Sequence, residues 1–296
     1  MDDWMRKNRN QDTVMCREVS VKGTSFPFLE FPSLSETGMV KHLFTTRAGG
    51  VSREKYESLN LSFSRGDDPA AVTENYERVA VAMGGAVSDM VCTDQTHTTN
   101  IRLVTAADGG KGITRKRDYQ DVDGLITDEP GVILCAFFAD CVPIYVVDPI
   151  HRAIGLAHSG WRGTAAYMGM RLLEQMKESF GTDAAQCVTA VGPSICRDCY
   201  EVSADVAEIF CEAFGQQTGE DKREADEKRL ILYRKENEKY QLDLWRANEL
   251  VLLRAGVPQT QIAVTDICTC CNPQKLFSHR ASHGERGNLG AFMKLL

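Results

Sequence analysis

No apolar run in this 296-residue chain is long enough to span a bilayer; the longest, residues 131–147, is interrupted by Asp140 and Pro143. Residues 1–14 lack the apolar core of a secretory leader, being polar and carrying both signs of charge. Basic charge is in deficit. With 34 Lys and Arg against 41 Asp and Glu, a formal net charge of −7 and a pI near 5.5, the surface is unsuited to nucleic acid or an anionic membrane, and neither is expected as a partner. Internal repeats and a clear linker are also missing. The eleven cysteines are odd in number and many lie in apolar segments, which fits reduced thiols in the cytoplasm better than a disulfide framework. At 43% hydrophobic residues the chain has ample material for a large core.

What is present is a regular succession of helix and strand signals. Asp68 and Pro69 supply the N-cap and first-turn residues of a helix; Val72, Tyr76, Val79, Ala80 and Met83 form its apolar face, and Gly84-Gly85 ends it. A second helix is expected over 164–180, stopped by Gly181, and two more over 203–214 and 244–255, the last capped by Asp243 and closed by Gly256. Strand-like runs occupy 124–127, 132–138, 143–147, 153–157, 188–191, 230–233, 240–242 and 262–265. Short gaps alternate with helical crossovers, so the expected fold class is α+β with mixed rather than purely parallel sheets. The stretch 216–229, dense in charge of both signs, is expected to be a solvated loop.

Three residues stand in turns that suggest chemistry: His97 in Q-T-H-T, Cys141 in A-D-C-V-P and His158 in A-H-S-G-W-R-G. Cys141 ends the apolar run I-L-C-A-F-F-A-D just before Pro143, which cannot extend a hydrogen-bond ladder, so the strand is expected to stop there. His158 ends the next buried strand, 17 positions on; His97 lies 44 positions before Cys141 in a polar turn that gives a histidine no packing role. Two imidazoles and a thiolate suit zinc, and a three-ligand set leaves a position open, as catalytic zinc does. A buried thiol and a satisfied core histidine are the competing account of the same residues. The turn S-G-W-R-G-T (159–164) joins strand to helix and offers backbone N–H groups to an anion, with Arg162 as a bidentate donor; T-T-R-A-G-G-V-S (45–52) places Arg47 similarly. Either also reads as an ordinary turn with a surface arginine. C-R-D-C (196–199) and C-T-C-C (268–271) have the spacing of zinc knuckles, but the 69 positions from Cys199 to Cys268 exceed a ribbon loop. Reduced cysteines near the core are the preferred reading, and Cys196, Cys199, Cys268, Cys270 and Cys271 receive no role. His279 and His283 with Arg280 and Arg286 form a basic cluster, a lid over an anion or a solvated tail.

Taken together these segments resemble the YfiH-like family, first described as polyphenol oxidases of the laccase kind and later as purine nucleoside phosphorylases with adenosine deaminase activity. The resemblance runs from about residue 42 onward. It rests on T-T-R-A-G-G-V-S (45–52), S-L-N-L-S (58–62), Q-T-H (95–97), D-G-L-I-T (123–127), A-D-C-V-P (139–143), H-S-G-W-R-G (158–163), V-G-P-S-I (191–195), C-Y-E-V (199–202) and C-T followed by F-S-H-R (268–280). It implies a metal, zinc with copper as the alternative, on His97, Cys141 and His158. It also implies a fold like the catalytic domain of a toxin glutamine deamidase, with mixed β-sheets packed face to face and flanked by helices. Residues 41–296 would form one catalytic domain, and 1–40 an extension and first strands of the same unit. Implied substrates are phosphate with adenosine, inosine, guanosine or S-methyl-5′-thioadenosine, in a monomer or small homo-oligomer. Arg47, Asn60, Arg162 and Arg280 are the candidates for substrate and phosphate; Cys141, Asp140 and Asp123 are the candidate catalytic groups. In deamination a metal-activated water is the expected nucleophile, with Asp140 or Asp123 carrying its proton, or Asp140 orienting a ligand. The chain departs from the pattern at His279 and in the G-E-R-G turn, so Arg286 is not assigned a substrate role. Competing readings are a copper polyphenol oxidase, for which six histidines are few; a hydrolase with Cys141 as nucleophile and His158 as base; a peptidoglycan-editing enzyme; and a zinc-stabilised interaction module.

Overall fold

The computed structural model describes residues 4–7, 13–215, 231–235 and 237–296; the charged stretch 216–229 lies outside them. In chain order the elements are β1 (Met15–Val21), β2 (Thr24–Glu30), α1 (Pro32–Ser35), β3 (Val40–Thr45), α2 (Pro69–Met83), β4 (Met90–Cys92), β5 (Ile101–Leu103), β6 (Gly124–Thr127), β7 (Ile133–Phe138), β8 (Val142–Asp148) and β9 (Ala153–Ser159). They continue with α3 (Trp161–Ala165), α4 (Met168–Phe180), β10 (Val188–Val191), β11 (Glu201–Val202), α5 (Ala204–Phe214), β12 (Leu232–Arg234), β13 (Tyr240–Leu242), α6 (Leu244–Arg254), β14 (Ile262–Val264) and β15 (Leu289–Leu295). No described helix is long and apolar enough to cross a membrane.

Two six-stranded mixed sheets, β1-β2-β3-β15-β7-β4 and β14-β10-β8-β9-β6-β5, pack face to face, and a small sheet β11-β13-β12 stands beside them. Side-chain alternation explains the layering. In β8, Val142, Ile144 and Val146 point to Met168, Leu172 and Met176 of α4 and to Val251 of α6, whereas Tyr145 and Val147 point into the space between the sheets. In β7, Leu134, Ala136 and Phe138 fill that same space, while Ile133 and Cys135 meet Val72, Tyr76 and Val79 of α2. Strands buried on both faces need near-continuous apolar sequence, which is what 132–138 and 142–147 contain. The result is the expected arrangement, face-to-face mixed sheets flanked by helices.

The local signals for α2 act as read: the Asp68 carboxylate accepts from Ala70 N (2.9 Å) and Gly84 ends the helix at φ +67°. The apolar strand does stop before Cys141, β7 ending at Phe138, and Pro143 lies near the start of the next strand, β8, paired with His158 of β9. Two expectations are corrected. The helix expected over 164–180 is two helices, because Tyr167 adopts φ +60° between α3 and α4. The strands read from sequence also omit β3, β4, β5, β11 and, most consequentially, β15, which occupies the middle of the first sheet between β3 and β7.

The chain crosses from the first sheet to the second between β4 and β5 and again between β7 and β8. Because β4 and β7 are parallel neighbours, both crossovers leave the same end of the sandwich, and β9, antiparallel to β8, finishes there too.

Candidate functional site

Each of those three chain segments delivers one of the suspected ligands. His97 sits in the β4–β5 crossover at φ +67°, a conformation uncommon for residues other than glycine. It is held there by Asp123, whose carboxylate accepts from the backbone N–H groups of Thr96 (3.0 Å), His97 (3.2 Å) and Thr98 (2.9 Å) and from the Thr98 hydroxyl (3.0 Å). Gln95 ties the same turn to β7, accepting from Phe137 N and donating to Phe137 O, both at 2.7 Å. His158, at the end of β9, hydrogen-bonds through Nδ1 to Asp123 Oδ1 (2.7 Å), which leaves its Nε2 facing away from that carboxylate. Cys141 follows Asp140, at φ +89°. Asp140 accepts from Thr269 Oγ1 (2.6 Å) and Arg280 N (2.7 Å) on its carboxylate and from Ile195 N (3.0 Å) on its carbonyl, bonds that offset the unfavourable backbone conformation.

The three ligand atoms lie within 4.8 Å of one another, and the rings of His97 and His158 meet edge to face with centroids 5.0 Å apart. Gly160 makes this convergence sterically feasible, since a Cβ there would stand 3.0 Å from His97 Cδ2 and 3.1 Å from Cys141 Sγ. The charges are mutually supporting. Burial raises the Cys141 thiol, but the His158 and His97 imidazoles outweigh it and bring it down to about 6. Burial lowers His158, but the Cys141 thiolate and Asp123 outweigh it and raise the imidazole to about 9. Burial likewise raises Asp123, and its bonds to His158 and to the Thr98 and Thr96 amides hold it below the ordinary carboxylate range. Two imidazoles, a ready thiolate and a carboxylate orienting one ring form a donor set that fits a single zinc-type ion. A multi-copper cluster does not fit. Of the six histidines, only His97 and His158 share a cluster of potential ligands among the described residues; His42 accepts from Phe31 N (2.8 Å) and His151 pairs with Asp148 (2.8 Å). Among the described residues no methionine lines the site to provide a blue-copper axial thioether.

The donors open into a cleft of about 450 Å³. One wall is apolar and aromatic, with Phe63 stacked on Tyr76 (centroids 5.6 Å) and Tyr76 edge-on to Phe137 (6.1 Å). Arg65, Arg117 and Arg286 bring positive charge to the cleft. Arg117 pairs with Asp94 (2.9 Å), whereas no described carboxylate pairs with Arg65 or Arg286. The Nε of Arg286 is buried without a hydrogen-bond partner, and burial together with Arg65 lowers its guanidinium to about 10.

The other residues singled out from sequence do not line this cleft. Arg47 donates to the carbonyls of Glu57 (2.7 Å) and Pro273 (2.9 Å) and stacks on Phe277. Arg280 donates to the carbonyls of Cys199 and Glu201, both at 3.0 Å. Asn60 is buried, donating to Asp67 (2.9 Å) and accepting from Asn288 N (2.9 Å). Arg162 is exposed and lies over Trp161. Asp123 and Asp140 are absent from the lining as well, and their carboxylates accept the bonds described above. Arg65 was missed, and Arg286 was named in the basic C-terminal cluster but given no substrate role; each stands directly before a glycine in a turn, the same signal that drew attention to Arg162.

Comparison with known proteins adds the following. Residues 41–296 match the family model described as multi-copper polyphenol oxidoreductase laccase. A Bacteroides thetaiotaomicron protein named purine nucleoside phosphorylase is 37% identical over 253 residues, 85% of this chain and 90% of its own length. A protein from an unknown prokaryotic organism, named adenosine deaminase RL5, is 30% identical over 81% of this chain and 88% of its own. The crystal structure of the Bacillus licheniformis hypothetical protein YfiH superposes with a TM-score of 0.84 at 31% identity, covering 95% of this chain and 99% of that one.

Proposed function

The chain belongs to the family described as multi-copper polyphenol oxidoreductase laccase, and from that premise we propose that it is a purine nucleoside enzyme, a phosphorylase with adenosine deaminase activity. The observation that carries this reading is the meeting, in one cleft, of an open three-donor metal site, an aromatic wall and two arginines without described carboxylate partners. Adenosine, inosine, guanosine and S-methyl-5′-thioadenosine are the proposed substrates, zinc the proposed metal.

His97, Cys141 and His158 would hold the ion. A zinc ion in such a set supplies a Lewis acid with one free coordination position. Asp123 keeps the His158 ring turned for this task, and Asp140 keeps Cys141 in place through the loop bonds already described. Phosphorolysis brings phosphate to C1′ of the ribose as the purine departs, so the anion must be held without a competing carboxylate; Arg65 and Arg286 meet that need. The purine itself finds flat apolar contact at Phe63 and Phe137.

The test is a nucleoside panel with and without phosphate. Phosphate-dependent release of hypoxanthine from inosine is expected, and Arg286→Ala should raise the KM for phosphate about tenfold or more, the loss of one charge-assisted bond. Absence of turnover of every nucleoside in the metal-loaded protein, with oxidation of a phenol instead, would replace this reading by the oxidase one. One arrangement supports a second reading: Cys141, His158 and Asp123 also stand in the order thiol, imidazole and carboxylate that a metal-free cysteine hydrolase uses. Activity that survives complete chelation would select it.

A further inference from the structure

Four cysteines outside the cleft form a second cluster. C-R-D-C (196–199) and C-T-C-C (268–271) are both C-x-x-C units, and the long sequence gap between them is closed by the sheet: β10 and β14 are adjacent parallel strands, so the loops that follow them leave the same end. The pairing runs on past the strands, with a bridge between Ser194 and Cys268 and a bond from Thr269 N to Ser194 O (3.1 Å). The sulfurs of Cys196, Cys199, Cys268 and Cys271 consequently lie within 4.8 Å of one another, with Cys199 to Cys271 at 3.4 Å and Cys196 to Cys271 at 4.0 Å. Cys270 is not among the four.

We propose that these four cysteines bind a single tetrahedral metal ion of the zinc class, a site separate from His97, Cys141 and His158. With metal–sulfur bonds of about 2.3 Å, the edges of a sulfur tetrahedron are about 3.8 Å, which the observed separations bracket. A disulfide needs its sulfurs at about 2.05 Å, and all eleven cysteines are unbridged. A multi-iron cluster would have to spread the sulfurs wider to hold its irons between them. The backbone also prepares the ligands: Cys196 N and Cys271 N both donate to Cys268 Sγ, at 3.2 and 3.4 Å, the kind of N–H to sulfur bond that a bound thiolate accepts. Cys196 and Cys268 are buried, and Lys7, which bonds Asp198 (3.0 Å), stands by the first knuckle as a counter-charge.

The site has a structural task. Ile195 N and Thr269 Oγ1, one from each cysteine loop, are two of the groups that hold Asp140, the residue before Cys141. Closing the four thiolates on one ion fixes both loops and, through Asp140, the thiol of the cleft.

The test uses the full chain purified without added metal. Wild type should carry two zinc equivalents and His97→Ala/His158→Ala one; adding Cys199→Ser and Cys271→Ser to that variant should leave none. An H97A/H158A protein without metal, or a fourfold variant that retains its ion, overturns the proposal. Should the cysteine variants fail to fold, cobalt loading of H97A/H158A decides: the strong red-region absorption and thiolate charge-transfer bands of a tetrathiolate site support it, and their absence overturns it. Because both imidazole ligands of the cleft are missing from that variant, its result is independent of whether the cleft binds metal or turns over nucleosides.

Discussion

Asp123→Asn tests whether this carboxylate positions the ligands or carries a proton. The native Oδ1 accepts from His158 Nδ1 and His97 N, while Oδ2 accepts from Thr96 N, Thr98 N and the Thr98 hydroxyl. An asparagine amide has one acceptor and one donor end, so whichever way it turns, its N–H₂ meets N–H groups and at least two bonds are lost. Bonds to an ionised acceptor contribute about 1.5–3 kcal/mol each, and partial relaxation should leave a stability loss of about 2–4 kcal/mol. Loss of an outer carboxylate on a ligand histidine lowers metal affinity about 10–100-fold, or about 1.4–2.8 kcal/mol. Chelator competition measures the affinity, urea unfolding the stability, and steady-state kinetics at saturating metal the remaining turnover. A positioning role predicts that kcat recovers largely once metal is saturating. Metal affinity equal to wild type with kcat abolished would refute it and restore Asp123 as a proton carrier. Acid should discriminate as well: a carboxylate held below its ordinary value contributes stability that is complete above its unfolded pKa and vanishes as pH falls through the folded one. The variant should therefore lose the corresponding part of its acid sensitivity.

Gly160→Ala should weaken metal retention with little change in Tm, since the added methyl would press on His97 and Cys141 and not on the core; metal content after dialysis reads it. In metal-stripped protein Cys141 should react with iodoacetamide at neutral pH and lose reactivity below about 6, whereas Cys187, raised to about 12 by burial, stays unlabelled; peptide mapping across a pH series checks both. Arg47→Met should lower Tm by removing bonds to Glu57 and Pro273 while leaving the KM for phosphate unchanged, the opposite of the effect expected at Arg286.

The convergence of His97, Cys141 and His158 was legible from local context: a histidine in a polar turn, a cysteine at the end of an apolar run, and a histidine where a strand gives way to a glycine-rich turn. Helix α2 was legible for the same local reason, its cap and its terminating glycine. The arginines were not. A guanidinium beside a glycine in a turn looks the same whether it closes backbone carbonyls or faces a ligand, and for Arg47 the deciding partner, Pro273, is 226 positions away. That the two cysteine pairs meet was not legible, because 69 positions separate them in the chain and the adjacency of β10 and β14 brings them together. Strand β15 escaped notice because L-G-A-F-M-K-L is buried on both faces and shows no alternation to mark it.

That strand has a consequence for how the molecule comes into being. Ala291 pairs with Phe44 and with Ala136, so the first sheet draws its central member from some 250 and 155 positions further along the chain. While translation proceeds, β3 and β7 each present an unsatisfied backbone edge that only residues 289–295 can cover. The sandwich is thus assembled in the wrong order for synthesis: its rim is made early and its keystone last, and pairing across such distances is slow. A growing chain of this protein is a template for foreign strands until residues 289–295 have emerged from the ribosome, and the binding of chaperones to nascent chains stalled on a C-terminal linker should fall sharply once that linker is long enough for β15 to clear the exit tunnel.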